Sequence, residues 1–278
     1  MKALRLVVLC TILAVPHLVF AEPELQLVGG YDLKEPRATP NGSIVLGQPN
    51  LKLTEPWPNP VDDMNPYTYF LTEVLEYRTK NGGNTANWDV FGWHGGDYNR
   101  LWIKSEGSAS TEKNSGGADF QLLYGRRISS YFDFQIGLRY EQIWNDRKSD
   151  VSRAFGAIGV QGLAPYYFDV EPTLFVSQDG DISARATTTY DIFLGQRLIL
   201  QPRIEANAAI QDNEDFGVGS GVNNIEAGFR IRYEIKREVG PYVGVSFGRR
   251  FGETAEFERK EGDDVQNWSL VTGVRLWF

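Results

Sequence analysis

The last twelve residues, Asn267 to Phe278 (NWSLVTGVRLWF), constrain the fold more than any other stretch. Taken in twos, Trp268, Leu270, Thr272, Val274, Leu276 and Phe278 form an apolar face. Asn267, Ser269, Val271, Gly273, Arg275 and Trp277 form a mixed, partly charged one. Side chains of a strand alternate between its faces, so this is a strand between an apolar and a polar environment. An unpaired terminal strand is a liability in water. Pairing with an early strand, to close a barrel, removes that edge.

The same period recurs upstream. Phe132, Phe134, Ile136, Leu138 and Tyr140 alternate with Asp133, Gln135, Gly137, Arg139 and Glu141. Leu198, Leu200, Pro202, Ile204 and Ala206 alternate with Gln201, Arg203, Glu205 and Asn207. Ile225, Ala227, Phe229, Ile231 and Tyr233 alternate with Glu226, Gly228, Arg230, Arg232 and Glu234. About twelve such strands fit between Tyr67 and Phe278. Alternation alone does not say which face is inside. The apolar faces run the length of a strand without a charge, and ~12 strands enclose a lumen too wide for those side chains to fill. Apolar-out, charged-in therefore fits better than two stacked soluble sheets. Aromatics near strand ends, such as Tyr124, Phe132, Tyr140, Phe168, Tyr190, Tyr233, Phe247 and Trp268, suit an interfacial girdle. The expected fold is all-β: a transmembrane antiparallel up-and-down β-barrel of about 12 strands, of outer-membrane type.

The connections support this. Those after odd strands, such as SEGSASTEKNSGG and RFGETAEFERKEGDD, are mostly longer than those after even strands, such as GQR and KREVG. Outer-membrane barrels have short periplasmic turns and longer extracellular loops.

Residues 1–21 read as a secretory signal: Lys2 and Arg5, an apolar run from Leu6 to Phe20, and a cleavage site at Val19-Phe20-Ala21. That run is short for a spanning helix, and no small residue precedes Cys10 as a lipoprotein anchor would need. Removing the signal leaves no Cys, one His (His94) and one Met (Met64), so disulfides and thiolate sites are excluded. The whole chain has net charge −8 and loses two basic residues with the signal. No nucleic-acid partner is expected of so acidic a protein. Residues 22–63 hold seven of the 13 prolines and read as a periplasmic arm without regular structure; residues 64–278 read as the barrel.

The polar faces carry both signs of charge. Arg139, Glu141, Arg203, Glu205, Glu226, Arg230, Arg232 and Glu234 are expected to form a lumen charge network, because unpaired charges are costly away from bulk water. Such a network suits a selective conduit or a purely structural interior. Hydrolytic catalysis would need a placed His beside a Ser or Asp; His94 sits in a Gly-rich turn, and no catalytic residues are assigned.

Long segments then resemble one family. LEYR, WDVFGWHGGDYNRLWIKSEG (Trp88 to Gly107), DFQLLYGRRISSYFDFQIGLRYE, GVQGLAPYYFDVEPTLFVSQDGDISARATTTYDIFL and RYEIKREVGPYVGVSFGRRFG are similar to the copper resistance protein B family. The resemblance covers about Asp63 to Phe278. It implies an outer-membrane barrel of a Gram-negative bacterium, surrounded by lipid and monomeric. It also implies copper as a bound or transported ion and periplasmic copper-binding proteins as partners. Relatives often have a Met- and His-rich N-terminal segment; here that region is Pro-rich with one Met. The remaining metal candidates are Asp63, Met64, His94 and Asp97. The competing function is a general small-solute channel or structural barrel.

Overall fold

The computed structural model describes residues 65–278, apart from 81–82, 146–147 and 263. The expected signal and Pro-rich arm, with Asp63 and Met64, lie outside the described residues.

Strand formation follows the period-two pattern. The strands are β1 (Tyr67–Lys80), β2 (Thr85–Gly95), β3 (Asn99–Ser110), β4 (Gly116–Ser129), β5 (Phe132–Asn145) and β6 (Lys148–Ala164). They continue as β7 (Phe168–Ser177), β8 (Ile182–Thr189, resuming at Ile192–Phe193), β9 (Leu198–Ala209), β10 (Gly221–Tyr233), β11 (Val239–Arg250) and β12 (Gln266–Trp277). Each pairs antiparallel with the next, and both parts of β8 pair with β9. β8 is interrupted where Tyr190 meets Pro202. Tyr190 donates its N–H to the Pro202 carbonyl at 3.1 Å, and proline has no N–H to return.

β12 pairs with β1 and closes the ring. Phe278 extends that ladder: Phe70 donates to the Phe278 carbonyl at 3.0 Å and Phe278 donates back at 2.9 Å. The result is a closed 12-strand antiparallel barrel, with no free sheet edge. No helix of the described residues is long and apolar enough to cross a membrane.

Neighbouring residues face opposite ways. Leu138 is 69% exposed and Arg139 only 6%; Ile231 is 46% exposed between Arg230 and Arg232, each at 3%. Apolar side chains therefore cover the outside and charges turn inward. β1 departs from a single parity. Leu71 is buried, and so are Val74 and Glu76, because register shifts around Glu73 insert a bulge.

The interior also has an apolar part. Trp102, Leu123, Phe155, Ala157 and Phe175 form a buried cluster with Phe91 and Trp93 against it. This aromatic filling was not part of the charged-in expectation. It takes up lumen width that charged side chains alone would leave wet. Glycines make room for some of these rings: a Cβ on Gly125 would lie 2.4 Å from Trp102 Nε1.

The connections differ at the two ends. Those from β2, β4, β6, β8 and β10 to the next strand are short; the other end carries the two longest loops, after β9 and β11. One long loop is ordered where the sequence suggested plain loop: it forms helix α1 (Gly252–Glu261), which stops at Gly262 with φ 82°. Thr254 anchors it by accepting from the Gly219 N–H at 2.8 Å and from Asn223 Nδ2 at 3.0 Å.

Candidate functional site: the charged lumen

Register places like charges side by side. Asp89 on β2 lies opposite Glu106 on β3, Glu106 opposite Asp119 on β4, and Asp119 opposite Glu141 on β5. Glu205 and Glu226 face each other on β9 and β10. Directly opposed like charges destabilise a sheet. Guanidinium groups must offset them, and they do so from both near and far walls.

Arg139 reaches Asp119 and Glu141, each at 2.9 Å. Arg153 reaches Glu141 at 2.9 Å. Arg185, on β8, pairs with Glu106 and lies 3.5 Å from Asp119. Arg203, on β9, is 3.1 Å from Asp89, 3.8 Å from Glu106 and 3.3 Å from Glu205. Arg78 reaches Glu226 at 2.8 Å. Towards the short-turn end, Lys104 donates to Glu171 at 2.5 Å and to Gln135 and Gln161 at 3.0 Å.

Of the network residues expected from sequence, Arg139 meets Glu141 and Arg203 meets Glu205 two positions along their own strands. Arg232 lies 3.7 Å from Glu234, but its closer partner is Asp191 at 2.8 Å. Arg230 and Glu226 take partners from β1 instead. Arg230 donates through Nε and Nη2 to Glu76, both at 3.1 Å, and Glu226 accepts from Arg78. Glu76, Arg78, Asp89, Glu106, Asp119, Arg153, Arg185 and Asp191 join the network beyond the eight residues expected. The bulge in β1 hides the parity of Glu76 and Arg78; Asp89, Glu106, Asp119, Arg153 and Arg185 follow period two and were legible by it.

Among the described residues, two cavities are lined by the lumen network. One of about 270 Å³ opens toward the long-loop end, where six carboxylates (Asp89, Glu106, Asp119, Glu141, Glu205, Glu226) face four guanidiniums (Arg78, Arg139, Arg185, Arg203). The other, about 30 Å³, lies deeper and includes Glu73, Lys104 and Glu171. Buried oxygens of Asn87 (Oδ1) and Asp119 (Oδ1), both in the lining of the larger cavity, have no hydrogen-bond partner.

The described metal candidates stand apart from the lumen network. His94 is exposed at the short-turn end, its Nδ1 hydrogen-bonded to Thr68 Oγ1 at 2.8 Å. Asp97 is exposed in the turn that follows. Among the described residues, no three His, Cys, Asp or Glu side chains converge as a metal-holding group.

An apolar outer surface, a charged inside and ladders closed without an edge define an outer-membrane β-barrel protein. The KdgM porin aligns with a TM-score of 0.45 at 13% identity, over 75% of this chain and 98% of that one; the NanC porin gives 0.48 at 12%, over 76% and 99%. Sequence comparison is more specific. Residues 66–278 match the model of the family described as copper resistance protein B precursor (CopB). Copper resistance protein B of Escherichia coli is 39% identical over 208 residues, 75% of this chain and 68% of that protein. The copper resistance protein B homolog of Pseudomonas syringae pv. tomato is 39% identical over 211 residues, 76% and 70%. The chain belongs to the copper resistance protein B family and is an outer-membrane protein of a Gram-negative bacterium.

Proposed function

We propose that the barrel serves copper resistance by passing copper ions between periplasm and exterior. The observation that carries this reading is the larger cavity, where six carboxylates face four guanidiniums. Concave walls of one net sign concentrate counter-ions, and this lining favours a cation. The role is non-enzymatic. Asp63, Met64, His94 and Asp97 are proposed as weaker copper contacts, with periplasmic copper-binding proteins as partners of a monomeric barrel in lipid.

A strain lacking the gene should lose copper tolerance and regain it with the wild-type gene. Proteoliposomes carrying the purified protein should pass copper faster than empty ones. Unchanged tolerance together with absent copper flux would overturn the proposal. The competing reading, a small-solute or structural barrel, draws on the pairing of the lumen charges. It calls for no difference between copper and other small ions.

In this reading the end bearing the longest loops faces the exterior. Cysteines introduced at Thr111 to Gly117 and at Gly252 to Asp264 should react with a membrane-impermeant label on intact cells. Labelling of the Gly195-Gln196 turn instead would reverse the orientation.

A further inference from the structure

The two lumen cavities share four lining residues: Asp89, Glu106, Arg185 and Arg203. The carboxylates are opposite one another on β2 and β3, and the guanidiniums reach them from β8 and β9. In the ring, β8 is five strands from β3, and β9 five from β2. These bonds therefore cross the lumen rather than run along its wall. We infer that the four residues form a septum that gates the lumen, and that the ion it admits is a divalent, oxygen-preferring cation, copper as Cu(II). The inference rests on the reading that copper passes through the barrel.

Three features point to a gate rather than a fixed brace. First, each arginine has a second partner on the large-cavity side. Arg185 lies 3.5 Å from Asp119 and donates to Asn207 Oδ1 at 3.1 Å; Arg203 lies 3.3 Å from Glu205. Asp119 and Glu205 line the larger cavity and not the smaller one. A guanidinium that swings toward them stays paired, so opening avoids stranding a charge away from water.

Second, the swing would leave Asp89 and Glu106 facing each other beside Asp119. Asp119 lines the cavity, is only 6% exposed, and its buried Oδ1 has no hydrogen-bond partner. In the closed arrangement the arginines are the cations of this acidic belt, and an incoming ion would take their place. Third, the donors are carboxylate and amide oxygens. Among the described residues, neither cavity lining includes a thioether, thiol or imidazole. Oxygen ligands suit hard and borderline divalent ions, whereas Cu(I) selects soft sulfur.

The test uses the purified full-length protein in planar bilayers with potassium chloride, then in liposomes with copper. Arg185→Gln and Arg203→Gln should each raise steady conductance severalfold over wild type, and the double variant further. The exchange Arg185→Glu with Glu106→Arg should return conductance to the wild-type level. Unchanged conductance in folded single variants would overturn the gate. Should a single variant fail to insert, the exchange decides alone: large open currents from it would overturn the gate too.

In liposomes the double variant should speed entry of Cu(II) and leave that of Cu(I), held as a chelate under reductant, unchanged. Faster Cu(I) entry would overturn the ion class. Potassium currents that open while neither copper state crosses would support the septum but overturn the copper reading and the ion class with it.

Discussion

Two carboxylate–guanidinium groups of this lumen use the same chemistry and behave differently. Beside the closing seam, Glu76 accepts from Arg78 Nε at 2.5 Å, from Arg230 through two nitrogens at 3.1 Å, and from the Tyr242 hydroxyl at 3.1 Å. Its side chain has no solvent exposure, and that of Arg230 has 3%. The partners come from β1, β10 and β11, which lie close together around the ring. The septum instead spans the lumen. Its side chains keep 10–24% exposure, and each arginine has somewhere else to go. Full burial of the shared carboxylate makes an ion pair a staple; some water on both sides makes it a latch.

The sharpest way to break this comparison is to remove one carboxylate from each group. Glu76→Ala strands Arg230, which is 3% exposed, while Arg78 keeps Glu226. The cost should be about 3–5 kcal/mol of folding stability. Glu106→Ala leaves Arg185 with Asp119 and Asn207, so a loss of about 1 kcal/mol or less is expected at this partly wet site. Urea unfolding of the barrel in lipid measures both. Equal losses would mean that the two groups are not different in kind.

A smaller effect tests shape at the staple. Tyr242 lies opposite Gly273 on β12, and a Cβ there would come within 2.6 Å of both the Tyr242 ring and the Leu75 carbonyl. The backbone oxygen cannot yield easily, so Gly273→Ala should cost about 1–3 kcal/mol. In a Tyr242→Ala background part of that penalty should vanish, read as a coupling in a double-mutant cycle. Full additivity would show that the ring does not set the space at Gly273.

The comparison also shows what a sequence read in twos can carry. Strand order, the closing pair and the inward parity of Arg139, Arg203, Arg230 and Arg232 follow from alternation, which is local. Glu76 was not legible, because the bulge near Glu73 changes the parity of β1 within one strand. Nor could Arg230 be matched to a carboxylate 154 residues away, since pairing across the barrel depends on shear and not on spacing. The carboxylates expected in the network on the same strand as the β10 arginines are Glu226 and Glu234. The structure gives Arg230 to Glu76 and Arg232 chiefly to Asp191. Helix α1 carries a weak apolar pattern and forms around Thr254 and Asn223, a tertiary contact that its own residues do not announce.

The smallest expected effect on stability is the most informative about the latch. Glu205 is one of three carboxylates near Arg203 and also accepts from Asn207 Nδ2 at 3.0 Å. In Glu205→Ala, Arg203 keeps Asp89 at 3.1 Å and Glu106 at 3.8 Å, so no charge is stranded. A change within about 1 kcal/mol is expected, as for other partly exposed pairs. The gate, however, loses the partner to which Arg203 would swing. The closed septum then gains relative to the open one, and single-channel records should show fewer openings than the wild type. The opposite outcome, a loss as large as that of Glu76→Ala, would mean a dry lumen in which Arg203 is held as firmly as Arg230. The septum would then be a second staple, and its arginines would not be free to move for an ion.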